Sequence, residues 1–314
     1  MAHLAVRAAR MTRVAAIDCG TNALRLLIAD VDVEGNLADV VRLMRTVRLG
    51  EGVDRTGEFS AAALDRTFGV CEEYAGLIAE HRVERSRFVA TSASRDVSNR
   101  EQFVDGVSSR MGISPEVIAG TEEAGLSYEG ATRSLTGVVA PALVVDIGGG
   151  STEFVIGEQS VSVNVGCVRM TERHLHSDPP TSAQIELVRR DLAEAMSRAG
   201  ESVDLRAAGT LVGVAGTVTT VAARALGLTS YDPEVLHGAI IERDPLERAI
   251  ADLVAMTRAE RAALPYMHPG RVDIIGGGAL VLGAVVEAVG LPRITVSECD
   301  ILDGIAYRLA AATG

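Results

Sequence analysis

The 314-residue sequence contains no tryptophan and only five phenylalanines and five tyrosines, which argues against an aromatic stacking platform for single-stranded nucleic acid. Its four cysteines, Cys19, Cys71, Cys167 and Cys299, are scattered without a C-x-x-C pair. Reduced thiols in a reducing cytoplasm are the expectation. No apolar run approaches the roughly 20 residues needed to span a bilayer, and no signal-peptide core precedes a cleavage site. Basic side chains are outnumbered, 30 against 42, for a net charge of −12. Such an acidic chain is not expected to bind nucleic acid or anionic membranes non-specifically. Two common phosphate-binding fingerprints are also missing: there is no G-x-x-x-x-G-K-[ST], and the glycine-rich turns do not read G-x-G-x-x-G. His174 and His176 lack the flanking ligands of a zinc site.

What the sequence does have is glycine, 32 in all, and a pattern that occurs twice. Residues 14–30 read VAAIDCGTNALRLLIAD, an apolar run, a polar turn and a second apolar run, which predicts two strands joined by a tight connection. Further strands are predicted over 40–48, 87–91 and 115–118, with helices from Ser60, a plausible N-cap, to about His81, over 99–111 and after Gly120. The pattern then restarts with VVDIGGGST about 130 residues later. Strands are predicted over 142–146, 153–157, 160–165, 211–215, 272–275 and 294–296, and helices over 181–199, 217–226, 248–256, 280–289 and from Leu302. Two similar α/β halves, 12–136 and 137–314, with a cleft between them, follow from this repeat. The final helix is expected to pack back on the first half. Residues 1–10 read as an extension before a natural start at Met11.

The chemistry is expected at the turns. In Asp146-Ile147-Gly148-Gly149-Gly150-Ser151-Thr152-Glu153, consecutive glycines can enter φ > 0 and let backbone amides approach an anion, while Ser151 and Thr152 add hydroxyls. Asp146 and Glu153 supply hard oxygen ligands suited to Mg²⁺, with Mn²⁺ as the alternative. The first turn, Asp18-Cys19-Gly20-Thr21-Asn22, echoes it. Phosphate would thus be gripped by Gly20, Thr21, Asn22, Gly148, Gly149, Gly150, Ser151 and Thr152. A tight hairpin with no ligand is the alternative for either turn taken singly.

These residues resemble the exopolyphosphatase/guanosine pentaphosphate phosphohydrolase (Ppx/GppA) family of the actin-like ATPase superfamily. The resemblance runs from about Val14 to about Gly304 through AAIDCGTNALRLLI, RLGEG, ATSASRD, IAGTEEA, DIGGGSTE, VGCVRMTE, GTVTT, PGRVDII and SECDILDG. It implies two actin-like (ribonuclease H-like) domains, each with a mixed five-stranded sheet, and an active site in the cleft. It also implies metal-dependent removal of a terminal phosphate from polyphosphate or guanosine pentaphosphate, and a homodimer. Glu122 and Glu123 open a helix that Thr121 is placed to cap, and adjacent helical side chains diverge by about 100°. Only one can face the cleft, and the family pattern makes it Glu123, which would orient the attacking water. Arg95 would stabilise charge on the reacting phosphate, with Asp146, Glu153 and Asp18 around the metal and Arg48 and Arg271 as weaker candidates for distant phosphates. Longer family members carry a C-terminal helical domain that this sequence lacks, which favours short chains. Gly276–Gly278, expected between a strand and a helix, keep an actin-like kinase open, and a non-catalytic sensor is the other alternative.

Overall fold

The computed structural model describes residues 11–311, so the expected extension before Met11 lies outside the described residues. The first half is built on β1 (Thr12–Cys19), whose last six residues are all buried. Both of its faces are covered, so the strand is a continuous apolar run with no polar alternation. β2 (Ala23–Val31) and β3 (Leu37–Thr46) follow it as an antiparallel meander. After α1 (Val53–Thr56) comes α2 (Ala61–Glu80), which the Ser60 hydroxyl caps by accepting from the Ala63 amide at 3.2 Å. β4 (Arg85–Ala90) runs parallel to β1 and leads into α3 (Ser92–Arg95) and α4 (Arg100–Met111). β5 (Glu116–Val117) and α5 (Gly120–Ser134) complete this half, with sheet order β3-β2-β1-β4-β5.

The second half repeats the plan. β6 (Ala142–Ile147), β7 (Thr152–Ile156) and β8 (Gln159–Val163) form the meander, followed by α6 (Cys167–His174) and α7 (Ser182–Ser202). β9 (Thr210–Val214) runs parallel to β6 and continues into α8 (Ala215–Ala225) and α9 (Pro233–Leu236). Then come β10 (Ile240–Glu242), α10 (Arg243–Ala255), α11 (Arg258–Ala262), α12 (Ile275–Val289), β11 (Arg293–Val296) and α13 (Ile301–Ala311). The sheet order β10-β11-β9-β6-β7-β8 contains the first sheet's order in full. This pair of sheets with flanking helices is the actin-like, ribonuclease H-like arrangement. The second sheet has six strands, not the five expected, because three-residue β10 adds to its edge. A strand that short leaves no periodicity to read.

Two further expectations are corrected. Residues 272–274 are not a strand but a turn, and α12 begins at Ile275 with Gly276–Gly278 inside it. α12 is packed by α6, α7, α8 and α10, and a segment buried on all sides shows no period separating helix from strand. Nor does Thr121 cap α5: Ala119 holds the N-cap position with no side-chain cap bond, and the helix starts at Gly120. All four cysteines are free thiols, three of them buried.

The halves are tied by two exchanged helices. α5 leans on β6, β7 and β8 of the second sheet, and α13 returns to β1, β2 and β4 of the first. There Ile301, Leu302, Ile305 and Ala306 share a core with Val14, Ala16, Leu27 and Ala29. The two helices cross at glycine: a Cβ on Gly130 would lie 1.9 Å from the Asp300 carbonyl oxygen, and one on Gly304 would lie 2.1 Å from that of Leu126.

Candidate active site

The two hairpin bends have the same geometry. Asp18 pairs with Arg25 and Cys19 with Leu24 in the first, and Asp146 with Glu153 and Ile147 with Thr152 in the second. Each four-residue bend is closed by its first glycine, Gly20 N–H donating to Ala23 O and Gly148 N–H to Ser151 O, both at 3.0 Å. The bends' other carbonyls are held from behind. Gly50 donates to Thr21 O (2.8 Å), and Val47 and Arg48 donate to Asn22 O (3.0 and 2.8 Å). In the second half Cys167 donates to Gly148 O (3.0 Å), and Val168 and Arg169 donate to Gly149 O (2.9 and 3.1 Å). RLGEG and VGCVRMTE are therefore matching buttresses, one per half. Among the described residues the amides of Thr21, Asn22, Gly149, Gly150 and Ser151 have no acceptor, and successive free amides in a turn form an anion-binding concavity.

The bends touch each other across the cleft. A Cβ on Gly149 would lie 2.8 Å from Thr21 Cβ, and one on Gly150 would lie 2.8 Å from Thr21 Oγ1 and 2.7 Å from Ser92 Oγ. Glycine is required here by close approach and not by handedness, since none of Gly20, Gly148, Gly149 or Gly150 has a positive φ. Three of the eight expected phosphate-binding residues have other tasks, and a fourth, Asn22, is engaged through its side chain alone. Gly20 and Gly148 use their amides to close the bends, the buried Thr152 hydroxyl donates to Val165 O at 2.6 Å, and the Asn22 side-chain amide donates across the halves to Gly270 O at 3.2 Å.

Beside this contact lies a group of buried carboxylates. Arg95, at the end of α3, donates to Glu123 Oε2 at 2.7 Å and to Ile118 O at 3.2 Å, and reaches Ser151 Oγ at 3.4 Å. Glu122 turns the other way, onto Arg87 at 2.6 Å. One helical turn beyond Glu123, Ser127 donates to Asp146 Oδ2 at 2.6 Å. Glu153 Oε1 accepts from Ser151 and Ser162, both at 2.7 Å. Asp18 accepts from Arg25 at 2.7 and 2.8 Å, and Arg25 also binds Asp300, the acid of the closing SECDILDG segment.

Burial raises the proton affinity of Glu123, Asp146, Asp18 and Glu153. Glu123 is pushed up to about 7, by burial first, with Asp146 and Asp18 adding repulsion that Arg95 opposes. Asp146 rises to about 6 for the same leading reason, with Asp300 adding repulsion. Asp18 rises through burial despite Arg25, and Glu153 rises well above its ordinary value through burial and its neighbours Glu123 and Asp146. Among the described residues no three His, Cys, Asp or Glu side chains stand together as a metal cage. Yet Asp18 Oδ1, Glu153 Oε2, Thr21 Oγ1 and Ser92 Oγ are all buried without a hydrogen-bond partner. Orphaned carboxylate oxygens next to unused hydroxyls and amides fit a hard cation that takes one or two carboxylates and completes its shell with water and phosphate oxygens, as Mg²⁺ does.

The cleft lined by Asp18, Thr21, Ser92, Glu123, Asp146 and Ser151 has a volume of about 530 Å³ and extends past Met44 and Tyr231 to Arg271, while Glu153 and Arg95 lie behind its wall. Arg48 stands outside it, paired with Asp273 at 2.9 Å. Gly277 and Gly278 are closed over by Thr171 and Thr217, whose hydroxyls would lie 2.4 and 2.7 Å from an added Cβ, so they pack helices together. Ser92, Arg25, Ser127 and Asp300 went unassigned in the sequence. Ser127 could have been found at i+4 from Glu123, whereas the Arg25–Asp18 pair depends on hairpin register.

The model of the Ppx/GppA phosphatase family matches residues 27–312. Exopolyphosphatase 2 of Mycobacterium tuberculosis is 49% identical, over 96% of this chain and 99% of that protein. The guanosine-5'-triphosphate,3'-diphosphate pyrophosphatase of Aeromonas hydrophila is 28% identical over 94% of this chain, which spans only 59% of that protein. A crystal structure of an exopolyphosphatase-like protein superposes with a TM-score of 0.91 at 45% identity, covering 95% of this chain and 97% of that one. Among the described residues no helix is long and apolar enough to cross a membrane. With most of its length matched, and with both hairpin bends and their buttresses in place, the chain belongs to the Ppx/GppA phosphatase family.

Proposed function

We propose that the chain is an exopolyphosphatase that releases the terminal phosphate of inorganic polyphosphate. The observation that carries this reading is the contact of Thr21 with Gly149 and Gly150, which sets two rows of unused amides on opposite sides of one point, next to Glu123 and Arg95. A terminal phosphoryl group between the bends would accept from those amides and from Arg95. The equatorial oxygens of phosphoryl transfer need donors fixed in advance, and positioning with charge stabilisation does most of the work. Glu123 is held near neutrality, so it is partly ionised at working pH and suited to orient a water and accept its proton. Ser127 fixes Asp146, and Ser151 and Ser162 fix Glu153. Bound Mg²⁺, held by Asp146 or Glu153 with Asp18 alongside, would screen substrate charge against the buried acids and polarise the phosphoryl group.

A second reading, removal of the 5' γ-phosphate of guanosine pentaphosphate, is favoured by the relative named above and by the same terminal anhydride. The experiment is side-by-side phosphate release from tripolyphosphate, long-chain polyphosphate and guanosine pentaphosphate, with Mg²⁺, Mn²⁺ or EDTA. Release from polyphosphate that exceeds release from guanosine pentaphosphate and is abolished by EDTA is expected. A clear preference for guanosine pentaphosphate would replace the first reading with the second, and undiminished release in EDTA would remove the metal.

A further inference from the structure

Outside the carboxylate group, one side chain touches three separate parts of the site without entering the cleft. Arg169, in α6, is only 12% exposed. Its Nε donates to Gly150 O at 2.8 Å, on the second bend. Its Nη1 binds Asp54 at 2.5 Å, and its Nη2 binds Asp96 at 2.7 Å. Asp54 lies in α1, directly after the RLGEG buttress that holds the first bend. Asp96 is the residue after Arg95.

We infer that Arg169 is a positioning residue that fixes the second bend, the first bend's buttress and the Arg95 segment in one geometry across the cleft. The guanidinium suits this task because its donors sit in a rigid planar fork, so three acceptors bound at once define a single arrangement. A lysine ammonium carries the same charge but no such plane.

The surroundings limit the freedom of each acceptor. Asp54 is also bound by Arg173 at 2.9 and 3.0 Å, and Arg173 is itself anchored on Asp191 at 2.9 Å. The Glu172 carboxylate accepts from the Gly52 amide at 3.0 Å, adding a second link from α6 to the first half. Arg100 donates to the carbonyls of Ser94 and Arg95, both at 2.7 Å, so the Arg95 segment is held from one side by Arg100 and from the other by Arg169 through Asp96. Asp96 has Arg169 as its ion-pair partner among the described residues. Loss of Arg169 would leave all three parts present but free to shift relative to one another. Because Gly150 and Arg95 are donors to developing charge, such a shift is felt in the transition state more than in substrate binding, and a displacement of about 1 Å can cost roughly 10²-fold in rate.

This inference rests on the phosphohydrolase reading, and the test separates the two. Phosphate release from tripolyphosphate with Mg²⁺ is measured for the wild type, Arg169→Lys, Arg169→Ala and Asp96→Asn, the last being isosteric and breaking one arm only. Arg169→Lys is expected to lose at least about tenfold in kcat with KM within about threefold of wild type, and Asp96→Asn to fall between the two. Guanidinium ion added to Arg169→Ala is expected to restore part of kcat. An active wild type together with an Arg169→Lys kcat within twofold of it would overturn the inference and leave the activity intact. Release from neither polyphosphate nor guanosine pentaphosphate by the wild type would overturn the functional reading alone. Hydrogen exchange then decides the positioning role: segments 50–56, 92–100 and 148–154 should all exchange faster in Arg169→Lys, and faster exchange confined to α6 would refute it.

Discussion

Replacing Glu123 by glutamine should abolish turnover and stabilise the protein at the same time. The ordinary carboxyl value of 4.5 rises to about 7 at this buried position. With each tenfold change in proton affinity worth about 1.4 kcal/mol, the ionised carboxylate costs the folded state about 3 kcal/mol. The sign follows from the direction of the change. A raised carboxyl value means that the folded state holds its proton more tightly, so the favourable contribution is complete below about 4.5 and is lost as pH rises through about 7. At pH 8 the wild type therefore carries the full cost and Glu123→Gln carries none. Glutamine, like the protonated acid, still offers an oxygen to Arg95, and the attraction of that guanidinium for the carboxylate is already contained in the value of about 7. The net gain is about 3 kcal/mol, or roughly 4–5 °C in melting temperature for a chain of this length at about 2.1 cal/mol/K of unfolding entropy per residue. The assay is thermal melting at pH 5 and pH 8 in EDTA, paired with tripolyphosphate hydrolysis in Mg²⁺. The gap between variant and wild type should be largest at pH 8 and shrink toward pH 5, and turnover should fall by about 10²–10⁴. Normal turnover would remove Glu123 as the base. A variant that melts below the wild type at pH 8 would refute the electrostatic reasoning whatever its activity.

Gly149→Ala should fold but lose most activity, because its Cβ would meet Thr21 Cβ at 2.8 Å and push the bends apart; Thr21→Gly in the same chain should recover part of the rate. Mg²⁺ should raise the melting temperature of the wild type and do so less in Asp146→Asn, since a cation stabilises only the state that binds it; equal rises would place the cation elsewhere. Gly304→Ala should destabilise by at least about 3 kcal/mol, as an added methyl would lie 2.1 Å from the Leu126 carbonyl oxygen and overpacking against backbone cannot be relieved by a rotamer change. Circular dichroism melts will check it.

The first turn's echo in the second was legible because the hairpins recur with the same apolar–Asp–Gly spacing, and each lies where a fully buried strand ends. The angle between adjacent helical side chains left room for only one of Glu122 and Glu123 in the cleft, the family pattern pointed to Glu123, and the structure turns Glu123 to Arg95 and Glu122 to Arg87. α12 was misread at its start because Ile274, Ile275 and the glycines after them present an apolar stretch with no polar face. α6 went unassigned: it is eight residues long and its N-cap, Gly166, has no side chain to signal a start. In the sequence the glycines of the second bend stand out for their freedom to enter φ > 0 and to let amides approach an anion. Their requirement comes instead from Thr21 and Ser92, more than fifty residues away in the chain, and no local pattern records such a contact. The same holds for Arg25, whose partners Asp18 and Asp300 meet only once the hairpin and the final helix are formed.

The exchange of α5 and α13 has a consequence for biosynthesis. Val14, Ala16, Leu27 and Ala29 are translated long before the residues that cover them, Ile301, Leu302, Ile305 and Ala306. The first sheet therefore waits with one oily side exposed until residues 301–306 are made, a long-range dependence that slows folding and favours protection by chaperones. A fragment ending before residue 301 should be sticky and insoluble, even though it retains every strand of both sheets.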